Sequence, residues 1–276
     1  MGALTHLVSA TDGFSLAARE WADGDSRIPL LCLPGLVRTS GDFADLAARH
    51  GAGRRVISMD YAGRGASGRA WDVGRYGPEA CLRDVQDVCA ALHVPHAIAI
   101  GTSFGGLLSM GLAAARPGLI RGVVLNDIGP EVPASGAGTI RDFVANDPAL
   151  ASEQACVDWL RTRLPPLSLE TDDAWSAMAA LTYTRGADGR FHPVWDTRIA
   201  KLLDEPPRDL WPLFGGLAGV PLMLVWGEVS TVLLPETIAK MHAARPDMTV
   251  VTVSGIGHAP TLAEAPVAAA LDRFLA

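Results

Sequence analysis

Seven short apolar runs punctuate the chain, at residues 14–22, 29–34, 54–60, 96–101, 121–126, 220–227 and 248–254. Helical patterns at about 40–50, 78–93, 104–116, 235–244 and 262–275 separate most of them. Runs such as PLLCLP, HAIAIG and VPLMLVWG are apolar at consecutive positions, so a strand built from them has no face to turn to water. Strands of that kind, alternating with helices, predict an α/β fold with a mostly parallel central sheet covered on both faces. Ligands of such sheets bind at the carboxyl ends of the strands. One interval breaks the rhythm. Residues 131–218 contain no convincing strand and read as amphipathic helices interrupted by Pro165-Pro166, Gly186, Gly189, Pro193 and Pro206-Pro207. An insertion of that length predicts a helical cap (131–218) lying over a core made of residues 1–130 and 219–276.

Composition narrows the partners. With 49% hydrophobic and 19% charged residues in a chain of 276, disorder is excluded as the main state. The net charge of −7 and the absence of any Lys/Arg run argue against nucleic acid. No apolar run approaches the roughly 20 residues of a membrane span. The four cysteines lack C-x-x-C spacing and read as small buried hydrophobes in a reducing compartment. The start, MGALTHLVSATDG, lacks the basic and apolar regions of a signal peptide, and His6 stands where myristoylation needs Ser or Thr. The expectation is a soluble, cytoplasmic protein. No H-E-x-x-H or spaced His/Asp cluster implies a metal, and Asp172-Asp173 reads as a helix N-terminal signal. Gly63 to Gly68 satisfies G-x-G-x-x-G, but no helix follows, so no dinucleotide is expected.

The most informative stretch is HAIAIGTSFGGLLSMGLAAA. Gly101-Thr102-Ser103-Phe104-Gly105 matches G-x-S-x-G between an apolar strand and a helix, the context that motif requires. The serine then occupies a cramped strand-to-helix turn, where glycines on either side let the backbones pass. Its hydroxyl stands at a helix N-terminus, which favours developing negative charge. A flexible Gly/Ser turn is the plainer alternative, and the strand and helix on either side argue against it.

From about residue 14 onward the chain resembles the α/β-hydrolase fold superfamily. LCLPGLVRTSGDF looks like its oxyanion-hole strand and loop, MDYAGRGASG its D-x-x-G-x-G-x-S turn, and GTSFGG its nucleophile elbow. VVLNDIGPE is similar to the strand end leading into the cap, VPLMLVWGE to the next core strand, and SGIGHAP to the histidine loop. All six stand in the right order. The resemblance implies a nucleophile at Ser103 and a general base at His258, with backbone oxyanion donors at Phe104 and Leu36. Pro34 precedes Gly35 where the family usually has His-Gly. Serine at the elbow sets aside the relatives that attack with Asp, namely haloalkane dehalogenases and epoxide hydrolases.

The acid is the open point. The family usually places an Asp three or four residues past the glycine of VPLMLVWG, and Ser230 and Thr231 stand there instead. Two other carboxylates are candidates. Asp127, ending the strand after the elbow helix, matches an alternative site used by some members; Glu228 directly follows Gly227. The plainer reading of Asp127 is a hydrogen-bonded turn in Asn126-Asp127-Ile128-Gly129-Pro130, and a third possibility is no carboxylate at all.

Arg38 and the cap residues Trp159, Trp175, Tyr183, Phe191, His192 and Trp195 are candidates to line a pocket, with cap packing the alternative for each aromatic. A pocket lined by them implies a small hydrophobic or aromatic ester or lactone, cleaved without a cofactor through an acyl-enzyme. Two rival readings are a C–C hydrolase of a vinylogous diketone and a catalytically impaired ligand-binding protein.

Overall fold

A computed structural model describes residues 2–22, 24–204 and 208–276. The core elements, in chain order, begin with β1 (Leu4–Ser9), β2 (Ser15–Ala22), β3 (Leu30–Leu33), α1 (Ala44–His50), β4 (Arg55–Asp60) and α2 (Pro78–Ala91). The nucleophile region follows as β5 (Ala97–Thr102), α3 (Phe104–Ala115) and β6 (Ile120–Asn126). Next come α4 (Ala134–Ala145), α5 (Glu153–Arg163), α6 (Asp172–Thr182), β7 (Tyr183–Arg185), β8 (Phe191–Pro193) and α7 (Trp211–Gly215). The chain closes with β9 (Leu222–Gly227), α8 (Pro235–Ala244), β10 (Thr249–Val253) and α9 (Ala265–Phe274).

Eight strands form one sheet in the order β1-β2-β4-β3-β5-β6-β9-β10. The first two pairings, β1 with β2 and β2 with β4, are antiparallel, and the rest are parallel. Successive side chains of a strand point to opposite faces, and here both faces are dry. Leu31, Leu33, Ala97, Ala99, Val123, Leu125 and Leu224 meet Val85, Val88, Leu108 and Leu112 on one side. Leu30, Cys32, Ile98, Ile100, Val124, Met223 and Val225 meet Leu46, Val267 and Leu271 on the other. This alternation is why the central strands are apolar at every position. All four cysteines are free and buried.

Two elements depart from the sequence reading. The strand β1 was not expected, and it is an edge strand with Leu4 and Leu7 turned to solvent, so it carries little of the buried-strand signature. Within residues 131–218 the helices α4 to α6 are followed by a short antiparallel hairpin, β7–β8, with Gly186 and Gly189 in its turn. Pro165-Pro166 separates α5 from α6, Pro193 closes β8, and Pro206-Pro207 lie outside the described residues. The last helix of the interval, α7, packs on α3, with Phe214 and Leu217 in the core layer. The remainder leans on loops at the carboxyl edge of the sheet. The Gly257 N–H donates to the Pro166 carbonyl, the Asp196 N–H to Gly63 and the Gly65 N–H to Val194.

Candidate active site

Ser103 occupies the turn between β5 and α3 at φ 52° and ψ −117°, a conformation an L-residue adopts only at a cost of about 1–3 kcal/mol. The glycines around it are required by contact. A Cβ on Gly105 would stand 1.9 Å from the Leu33 carbonyl oxygen, and one on Gly101 would stand 2.4 Å from that of Gly105. The elbow therefore lies directly against the end of β3, bringing Phe104 to the loop that holds Leu36. Among the described residues, neither the Leu36 N–H nor the Phe104 N–H donates to a protein acceptor.

The ring of His258 connects two of the candidates. Its Nε2 lies 2.8 Å from Ser103 Oγ, and its Nδ1 lies 2.7 Å from Asp127 Oδ2. With the proton on Nδ1, the ring donates to Asp127 and accepts the serine hydroxyl proton. Asp127 is 0% exposed, and its second oxygen, Oδ1, accepts the Gly227 N–H at 3.0 Å. Its backbone N–H donates to Val225, which anchors the carboxylate to β9. The carboxylate is thus held from two strands, in a site where its charge is poorly screened.

The family model for the alpha/beta hydrolase fold matches residues 28–265. The chain belongs to the alpha/beta hydrolase fold family. It is 30% identical over 270 residues to a 3-hydroxybutyrate-oligomer hydrolase of Cupriavidus necator, covering 94% of this chain and 92% of that one. It is 27% identical over 231 residues to a 2-(acetamidomethylene)succinate hydrolase of Mesorhizobium japonicum, covering 83% and 81% of the two chains. A solved alpha/beta hydrolase from Novosphingobium aromaticivorans superposes with a TM-score of 0.92 at 38% identity, over 99% of this chain and 98% of that one.

In this alpha/beta hydrolase the other acid candidate, Glu228, faces away from the relay. Its carboxylate accepts the Ser254 hydroxyl at 2.6 Å and the Gly255 N–H at 3.0 Å, which together hold its pKa below the ordinary value. It braces the turn that leads into the histidine loop. Thr231 is exposed, while Ser230 Oγ accepts the N–H groups of Val232 and Leu233 ahead of α8.

The expected pocket residues separate into distinct roles. Arg38 is bound bidentately to Asp42, at 2.7 and 2.6 Å, and reaches the Thr182 hydroxyl at 2.5 Å, tying the Leu36 loop to the end of α6. Trp195 is 1% exposed, stacks on Phe143 and donates its indole N–H to Val144, so it presents no surface to a ligand. Trp159, Trp175, Tyr183 and Phe191 pack around Cys156, Val157 and Leu160 in a cluster of their own, with the Trp175 indole donating to Leu169. Burial pushes the Tyr183 phenol up, so it stays neutral. His192 lies between Asp147 and Asp188, at 2.8 and 3.1 Å. Hydrogen bonds from its ring N–H groups to those carboxylates, Asp147 foremost, raise its pKa. That surface cluster holds the hairpin to the segment before α5. Among the described residues no group of three His, Cys, Asp or Glu side chains is placed to hold a metal, and no helix is long and apolar enough to cross a membrane.

Two residues escaped the sequence reading. Asn126, buried beside Asp127, donates from Nδ2 to Thr102 Oγ1 at 3.1 Å and to the Pro260 carbonyl at 2.9 Å, and its backbone carbonyl accepts the Ser103 N–H. It binds the nucleophile strand to the histidine loop. Glu264 accepts from Thr261 and from Ser168 Oγ, joining that loop to the α5–α6 segment. Asn126 was legible only as part of a turn; Glu264 had no sequence signal.

Proposed function

We propose that this chain is a serine hydrolase that cleaves a carboxylic ester or lactone through an acyl-enzyme, with no cofactor. The observation that carries the reading is the unbroken Ser103–His258–Asp127 hydrogen-bond relay. Ser103 Oγ attacks the ester carbonyl while His258 Nε2 takes its proton. Asp127 holds the tautomer and stabilises the imidazolium, and the N–H groups of Leu36 and Phe104 receive the oxyanion. His258 then protonates the leaving alcohol. Water, deprotonated by the same imidazole, attacks the acyl carbonyl and frees the acid. Residues 131–218 act as the cap that closes the carboxyl edge of the sheet over this chemistry.

The ester assignment is supported by the Cupriavidus relative, whose named substrate is an oligomer of a hydroxy acid, joined by ester links. The impaired-scaffold reading rests on Thr231 at the usual acid position, and the Asp127 carboxylate beside His258 Nδ1 weighs against it. A fluorophosphonate probe is expected to add its mass to the Ser103 peptide. A panel of p-nitrophenyl esters, a lactone, a 3-hydroxybutyrate oligomer and a vinylogous diketone is expected to show turnover of esters first. A folded protein with an unlabelled Ser103 would refute the reading.

A further inference from the structure

Arg64 lies in the turn after β4 and is 0% exposed. Its Nε–H donates to the Leu36 carbonyl at 2.8 Å and its Nη1 to the Ala62 carbonyl at 2.6 Å, while Nη2 is buried without a partner. The guanidinium stands 5.7, 5.8 and 5.9 Å from the ring centres of Tyr61, Tyr76 and Phe104. Among the described residues no carboxylate pairs with it. Asp60, four positions earlier, accepts the N–H groups of Ser40 and Ala66. Nor do the two neighbouring phenols and the thiol supply a counter-charge. Burial pushes Tyr61 well up and Cys81 up to about 11, and burial with its hydrogen bond to Asp196 pushes Tyr76 up, so all three remain protonated near neutrality.

An unpaired buried cation is unfavourable, and an apolar side chain of similar volume usually fills such a place at less cost. Contact with three aromatic rings offsets only part of the desolvation. The location of the charge accounts for its presence. Arg64 touches the carbonyl of Leu36 and the ring of Phe104, the two residues whose N–H groups form the proposed oxyanion hole. A fixed positive charge in a dry site favours negative charge forming nearby and needs no reorganisation when it forms.

We propose that Arg64 is a positioning and electrostatic element of the oxyanion hole, whose charge favours the tetrahedral oxyanion and whose hydrogen bond to the Leu36 carbonyl braces the loop that carries the Leu36 N–H. This inference rests on the serine-hydrolase reading above. The experiment compares the full chain with its Arg64→Gln and Arg64→Lys variants on p-nitrophenyl butyrate, with benzeneboronic acid as the probe of tetrahedral-anion binding. Arg64→Gln is expected to lower kcat about tenfold or more with KM changed less than about threefold, and to weaken boronate inhibition by the same factor. Arg64→Lys is expected to keep most of the rate near neutrality. It should also gain an alkaline limb absent from the parent, because a buried ammonium loses its proton well below the usual lysine range.

The idea is overturned if Arg64→Gln keeps the parent kcat and boronate affinity. It is equally overturned if both variants lose rate alike and Arg64→Lys shows no new limb. Should Arg64→Gln fail to fold, the alkaline limb of Arg64→Lys decides alone. Failure of the underlying reading looks different: the parent itself would neither turn over esters nor label at Ser103.

Discussion

Replacing Asp127 by asparagine removes one charge and keeps the side chain's shape, which makes it the sharpest test of the relay. Asp127 is fully buried and accepts two hydrogen bonds, from Gly227 N–H at 3.0 Å and from His258 Nδ1 at 2.7 Å. An asparagine offers only one acceptor oxygen for those two donors. If the oxygen faces Gly227, the amide NH2 faces Nδ1 and drives the ring proton to Nε2, so His258 no longer accepts from Ser103. If the amide is turned, two donors face one another across a dry contact, at a cost of about 1–3 kcal/mol. In either case the imidazolium loses its ionic partner, worth a further 2–3 kcal/mol or so for a charged hydrogen bond. Because the donor–donor clash weighs on ground and transition states alike, kcat reads the lost ionic partner, roughly 30- to 150-fold, and more where the wrong tautomer forms. The assay is steady-state hydrolysis of p-nitrophenyl butyrate at pH 8, with a urea unfolding curve on each variant to confirm the fold. Glu228→Gln, measured alongside, is expected to stay within about twofold, because that side chain braces a surface turn. An Asp127→Asn enzyme within tenfold of the parent, paired with a larger loss in Glu228→Gln, would refute the assignment.

Ser103→Ala should abolish both ester turnover and fluorophosphonate labelling while leaving thermal unfolding nearly unchanged, since alanine keeps the Cβ and the backbone turn and loses only the hydroxyl's bond to His258. Thr231→Asp should alter kcat by less than about twofold, because the added carboxylate joins an exposed loop and the histidine already has its partner. Gly105→Ala should destabilise by at least about 2–3 kcal/mol in urea unfolding, since its Cβ would stand 1.9 Å from the Leu33 carbonyl oxygen. Asp196 supplies an acid limb. Burial alone would raise its pKa, but the hydrogen bonds from Arg198 and Tyr76 outweigh it and hold the value at about 2, below the ordinary 3.8. The stabilisation this gives is present above 3.8 and is lost as pH falls toward 2, so Asp196→Asn should flatten that part of the stability profile measured by urea unfolding.

The central strands were readable because their apolar alternation carries no polar face, and Ser103 because glycine spacing reports a backbone contact directly. His258 was readable from the order of the strands. Asp127 stayed one of several candidates, since a carboxylate at the end of β6 reads equally well as a turn residue. Only the fold brings β6 beside β9 and so places Asp127 under the ring. Residue type left two roles open for the aromatics of residues 131–218, a pocket lining or mutual packing, and only the fold shows Trp159, Trp175, Tyr183 and Phe191 gathered around Leu160. Arg64 was the least legible of all. A Gly-Arg-Gly sequence normally marks a solvated turn, and its burial depends on Trp195 pairing with it from more than a hundred residues away.

The position of the acid has a consequence for the chain's freedom to change. Because the carboxylate beside His258 is Asp127, the segment from Val229 to Leu234 holds none of the proposed relay; it seats Val232 and Leu233 in the core and leads into α8. That makes its exposed positions Val229 and Thr231 tolerant addresses for engineering: a fluorophore attached at either would leave the chemistry where it is. In a relative whose acid sits in that loop, the same change would fall on the acid or beside it.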